Sequence, residues 1–64
     1  MDKFDEGVLF SAAEITRGHG ADVYQEDLII AAGLQNADCS MLAEFDQEAL
    51  KKLNNYSNRL SLTF

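Results

Sequence analysis

Asp22-Val23-Tyr24-Gln25-Glu26-Asp27-Leu28-Ile29-Ile30-Ala31-Ala32-Gly33 is the stretch on which the fold turns. Asp22 has the short carboxylate side chain of a helix N-cap, and Gln25 follows three residues later, as in a capping box. Residues 23–32 contain no helix breaker. Gly33 then stands where a helix closes on a left-handed residue. Tyr24, Leu28 and Ala31 share one stripe, which Ile29 and Ile30 widen. The pattern predicts a central helix over 23–32.

Moving toward the N-terminus, Gly18-His19-Gly20 is the clearest turn signal. Ahead of it, Phe4, Val8, Leu9, Ala12 and Ile15 fall at spacings that suit one helical face. A second pattern competes. Ser11-Ala12-Ala13-Glu14 has the form of a capping box, with Phe10 and Ile15 placed as its hydrophobic staple. That alternative puts an extended stretch at 7–10 before a short helix. Gly7 weakens a continuous helix by about 1 kcal/mol relative to alanine. The reading adopted is helix over 8–17.

Toward the C-terminus, residues 35–46 admit two readings. Asp38 or Ser40 caps a short helix through Met41 and Leu42, or Ala37, Cys39, Met41, Ala43 and Phe45 alternate as a strand. Asp46-Gln47-Glu48-Ala49 then opens a helix with acids first and lysines later. Leu42, Phe45, Ala49, Leu53, Tyr56 and Leu60 follow intervals of three and four residues, a core-facing stripe. Asn54 and Asn55 are placed to end that helix, and Leu60–Phe64 alternates like an edge strand. The expected fold is all-α, one small acidic domain over 1–64 with three or four short helices. The alternative is α+β, with short strands near 7–10, 37–45 and 59–64.

At 64 residues the chain is near the lower limit for a core without staples, so a monomer competes with a homodimer that shares its core. Its 47% hydrophobic content argues against disorder. Phe4, Phe10, Phe45, Phe64, Tyr24 and Tyr56 are the bulky core candidates, and Leu28, Phe45 and Leu53 are expected to be buried. Cys39 is the single cysteine, which rules out an intrachain disulfide and suits a reducing compartment. The N-terminal residues lack the basic and apolar regions of a signal peptide, and the apolar run 28–34 is too short to span a bilayer. The cytoplasm, of a bacterium or an infected host cell, is the expected location. Asn55-Tyr56-Ser57 matches a glycosylation sequon, which in that setting is chance.

Net charge is −6, from five bases against eleven acids. Direct nucleic-acid binding through phosphates needs Lys and Arg in number, and anionic membranes disfavour such a chain. The charge is also segregated. All eleven acids lie between Asp2 and Glu48, where only Lys3 and Arg17 oppose them, giving −9. Lys51, Lys52 and Arg59 follow, giving +3. Three acidic groups stand out: Asp2, Asp5 and Glu6; Asp22, Glu26 and Asp27; Glu44, Asp46 and Glu48. Solubility and matching of helix dipoles explain part of this, Asp22 and Asp46 above all.

Chemistry-bearing motifs are sparse. One Cys and one His do not make a zinc set. A Cys39–His19 nucleophile pair would need a third, orienting group, and nothing in the sequence brings the two together. His19 reads as an exposed turn residue and Cys39 as a small buried hydrophobe. Asn36, Asp38 and Ser40 have the opening spacing of a calcium loop, but Met41 and Gln47 stand where Gly and Glu belong. Gly18-His19-Gly20 lacks the rest of any phosphate-binding fingerprint. The expectation is no catalytic residue, no metal and no cofactor.

The function expected on these grounds is a protein–protein interaction module. Its leading form is an inhibitor of the phage or mobile-element anti-defence type, a nucleic-acid mimic. It would present Asp22, Glu26, Asp27, Glu44, Asp46 and Glu48 to the basic nucleic-acid-binding site of a protein or nucleoprotein complex. The alternative is an assembly or accessory subunit that binds through an apolar face drawn from Leu28, Ile29, Ile30, Leu60, Leu62 and Phe64. A helix-turn-helix regulator is weaker, because the stretch after Gly33 brings Asp38, Glu44, Asp46 and Glu48 where a recognition helix needs bases.

Overall fold

The computed structural model describes residues 1–64 and contains three helices and no strand: α1 over Lys3–His19, α2 over Val23–Ala31 and α3 over Glu44–Tyr56. The all-α reading is correct. The α+β alternative is reduced to one isolated parallel bridge between Asp38 and Thr63.

Helix α1 starts earlier than the sequence suggests. Asp2 is its N-cap and accepts the Asp5 N–H at 2.8 Å. Asp5 and Glu6 occupy the positive end of the dipole, and Arg17 and His19 the negative end. With that cap in place, the Ser11–Glu14 capping box is not used, and 7–10 is helical, not extended. Leu9, Ala12, Ala13 and Thr16 form the buried face. Gly20, at φ 85°, ends the helix, so His19 is the exposed last residue of α1 and not part of a turn between glycines.

Gly7 sits inside α1 at a cost with no internal return. A Cβ added there meets nothing within 4 Å. Gly7→Ala is therefore expected to stabilise the fold by about 1 kcal/mol. For a domain of this size that raises Tm by roughly 4–8 °C. Thermal melts followed by circular dichroism check this, and an unchanged or lower Tm would refute it.

Helix α2 begins and ends where its sequence predicts, although Gln25 turns to Thr16 and Gly20 and does not close a capping box with Asp22. Asp22 is its N-cap and accepts the Val23 N–H at 2.6 Å. Gly33 adopts φ 74°, its N–H bonds to Ile30 O at 2.9 Å, and Leu34 N–H bonds to Ile29 O at 2.9 Å. These are the paired closing bonds of a helix that ends on a left-handed glycine. The face it buries is not the predicted one. Gln25, Glu26 and Ile29 point inward, while Tyr24, Leu28 and Ala31 face outward. The Glu26 carboxylate and the Gln25 amide nitrogen find partners inside, while Gln25 Oε1 is buried without one. Gln25 Nε2 donates to Gly20 O at 2.7 Å and to Thr16 Oγ1 at 3.2 Å, pinning the α1–α2 turn. Glu26 meets Ser57 and Arg59.

Between α2 and α3 the chain forms turns. Asp38 Oδ1 accepts the Ser40 N–H at 2.9 Å, and Leu42 N–H bonds to Cys39 O at 3.1 Å. This local bonding competes with an extended backbone and ends the alternation seen over 37–45. Helix α3 lacks a side-chain cap; its inward residues are Ala49, Leu50 and Leu53. The predicted stripe was correct at Ala49 and Leu53 and wrong at Phe45 and Tyr56, which are exposed. Leu50, outside that stripe, is fully buried.

The C-terminal segment closes the core. Asn54 accepts the Leu62 N–H at 3.0 Å and donates to Leu62 O at 3.3 Å. Ser61 and Thr63 N–H bond to Gln35 O and Ala37 O, and Cys39 N–H bonds to Thr63 O. Its alternation is real, with Leu60 and Leu62 buried and Ser61 and Thr63 outside. The core is Leu9, Ala12, Ala13, Ile29, Cys39, Ala49, Leu50, Leu53, Leu60 and Leu62. α1 packs chiefly on α3 and also on α2. No helix is long and apolar enough to cross a membrane.

Candidate interaction surface

The six acids nominated from the sequence do not form one array. Asp22 is spent on the N-cap of α2. Glu26 is only 5% exposed, accepting from Ser57 Oγ and from Arg59 Nη2 at 3.2 Å. The Ser57 hydroxyl first, then the Arg59 guanidinium, hold its carboxyl below the usual range. Asp27 is exposed and takes the same Arg59 nitrogen at 2.9 Å. Asp46 is half-buried and accepts from Arg17 Nη1 at 3.0 Å. Glu44 and Glu48, both on the surface of α3, are the two outside ion pairs and caps.

These ion pairs join elements distant in sequence. Arg59 ties the C-terminal segment to α2 through Glu26 and Asp27. Arg17 ties α1 to α3 through Asp46 while also bonding Glu14 within its own helix. Its guanidinium lies 4.1 Å from the centroid of Phe45. Both arginines have their pKa raised, Arg59 first by Asp27 and Arg17 first by Glu14. The charge segregation along the chain is thus partly an internal fastening. The late base Arg59 returns to the acids of α2.

Cys39 is fully buried, and burial, helped by the charge of Asp38, pushes its thiol up to about 11. A thiol so placed is a packed side chain and stays protonated at neutral pH. No group of three or more His, Cys, Asp or Glu side chains is placed so that it could hold a metal ion.

The feature that sequence reading missed is aromatic. Phe4, Phe10, Phe45, Phe64, Tyr24 and Tyr56, the bulky core candidates, are all exposed. Tyr24 is 75%, Phe4 69% and Phe45 68% accessible. Leu28, expected in the core, is exposed at 36%. The apolar-face residues fare differently: Ile29, Leu60 and Leu62 are buried, Ile30 is half-buried, and only Leu28 and Phe64 reach the surface.

Two concavities accompany these rings. One of about 330 Å³ opens between the N-terminal half of α1 and α2, lined by Lys3, Phe4, Gly7, Val8, Ser11 and Leu28. Another of about 160 Å³ lies between α1 and α3, beside Arg17, Phe45, Glu48 and Lys52. The glycine inside α1 was the sequence signal for the first, since an interior helical glycine asks what its missing side chain leaves room for. No family model, curated protein or solved structure matches the chain.

Proposed function

We propose that the protein is a small acidic protein–protein interaction module, not an enzyme, and that exposed aromatic side chains make the contact. The observation that carries this reading is that all six aromatic residues lie on the surface while the core holds only Leu, Ile, Ala and Cys among its apolar residues. Aromatic rings bury about 150–250 Å² each and are the most rewarding side chains to remove from water. They are enriched at the centres of protein interfaces. The net charge of −6 favours a basic partner, a protein or a nucleoprotein complex, and disfavours direct contact with nucleic acid.

A second reading keeps the acids as the contact, as an inhibitor that mimics nucleic acid. Its specific support is that Glu44 and Glu48 are exposed and unpaired on either side of Phe45 in the sequence of α3. One experiment separates the two. The protein is immobilised in native lysate and eluted by a salt gradient, alongside Phe4→Ala, Tyr24→Ala, Phe45→Ala, Tyr56→Ala and the pair Glu44→Gln with Glu48→Gln. At least one aromatic variant is expected to lose the captured partner with its helical circular dichroism unchanged. If every aromatic variant retains it, while the acid pair loses it and DNA competes, the mimic reading replaces this one.

A further inference from the structure

We infer, independently of the interaction-module reading, that residues 57–64 form a strap, clasped by charge, which leaves the core as one unit while the three helices stay packed. The segment has no helix or strand of its own. Every hydrogen bond and ion pair that it makes outside itself runs to α2, to α3 or to residues 35–39, and none runs to α1.

The bundle does not depend on the strap for its helix contacts. α1 packs directly on α3 and on α2, whereas α2 and α3 barely touch each other. The strap spans those two helices from the other side. It brings Leu60 and Leu62 to the core, and the helices and Cys39 supply the other buried apolar residues. Losing the strap therefore leaves the α1–α3 and α1–α2 packing in place.

Its fastenings are mostly polar. Ser57 Oγ donates to the Glu26 carboxylate, and Arg59 Nη2 donates to Glu26 at 3.2 Å and to Asp27 at 2.9 Å. Asn54 brackets the Leu62 backbone, and three backbone bonds join Ser61 and Thr63 to Gln35, Ala37 and Cys39. Such bonds replace bonds to water, so each contributes little net stability. The clasp is open to solvent, since the side chains of Arg59 and Asp27 are 42% and 62% accessible, and ions screen it there. Asn58, Arg59, Ser61, Thr63 and Phe64 are all exposed. A segment with few buried apolar contacts and solvent-reached fastenings opens before a packed helix does. Release bares Leu60 and Leu62, two of the residues assigned from sequence to an apolar binding face. The open form thus carries an apolar surface that the closed form hides.

Native-state hydrogen exchange of the full chain, followed amide by amide by NMR in increasing urea at fixed pH, tests this. The amides of Ser61, Leu62, Thr63 and Cys39 are expected to exchange together, about tenfold or more faster than those of Leu50 and Leu53 in α3. Their rates should rise only shallowly with urea, because opening the strap exposes little surface, while those of Leu50 and Leu53 rise steeply. Arg59→Gln, which undoes the clasp, should speed the four strap amides by about tenfold. Protection and urea dependence equal to those of Leu50 and Leu53 would show that the strap leaves only when the whole domain unfolds, and would overturn the inference. So would four amides with unrelated rates and slopes, the mark of fraying residue by residue, or strap amides unmoved by Arg59→Gln.

Discussion

Leu53→Ala is expected to cost ~2–5 kcal/mol and, in a domain whose whole stability is on the order of 5 kcal/mol, to leave much of the population unfolded. Leu53 has no solvent exposure, and it stands at the centre of the face that α3 turns toward α1. Truncation removes its transfer free energy and leaves a cavity in a core of ten buried residues, three of which, Ala12, Ala13 and Ala49, are themselves small. The contrast variant is Phe45→Ala in the same helix. Phe45 is 68% accessible, so its truncation forfeits its contact with Arg17 and little burial. Urea melts of the two should differ widely, with the Leu53→Ala midpoint far lower. Similar midpoints would show that the inward face of α3 is assigned wrongly.

Acidification should unfold the protein in part through Glu26. Its carboxyl is held below the ordinary value of 4.5, first by the Ser57 hydroxyl and then by the Arg59 guanidinium. Protonation therefore disfavours the folded state more than the unfolded one. The stabilisation is fully present above the unfolded value, begins to decline near 4.5, and is lost as pH falls through the lower folded value. Glu26→Gln keeps the shape and removes the charge. The parent should melt higher than this variant at neutral pH, and the gap should close as pH drops below about 4.5. Arg59→Gln should act in the same direction, and the double variant should be less destabilised than the two single effects added together. A gap that stays constant from neutral to acid pH would remove Glu26 from the account. Both substitutions act on the attachment of the C-terminal segment, because Ser57 and Arg59 are the residues that bring it back to α2.

The legible parts of the fold were those encoded within a few neighbouring residues. Asp22 and Gly33 bound α2 because capping and left-handed closure are local backbone chemistry. Leu60 and Leu62 alternate inward because an extended chain has period two. The acidic charge and the lone buried Cys39 also follow directly from composition and residue type.

Which faces turn inward was decided only by tertiary structure. On α2, periodicity favoured Tyr24 and Leu28, yet Gln25 and Glu26 went inside: Thr16 and Gly20 accept from the Gln25 amide nitrogen, Ser57 and Arg59 donate to the Glu26 carboxylate, and only Gln25 Oε1 is left without a partner. A buried polar group is costly alone and tolerated when paired, and those partners lie as far as 33 residues away. On α3 the C-terminal segment, held by Asn54, and α1 together set the inward direction. They favour Leu50 over Phe45 and Tyr56. The six nominated acids were separated for the same reason: long-range pairing with Arg17 and Arg59 consumed Asp46, Glu26 and Asp27. The sequence by itself determined the ends of α2, the charge and the absence of familiar motifs, but not the start of α1 at Asp2 or of α3 at Glu44. The exposed aromatic surface emerged only when three short helices and a returning tail filled the core with smaller side chains, leaving the rings outside.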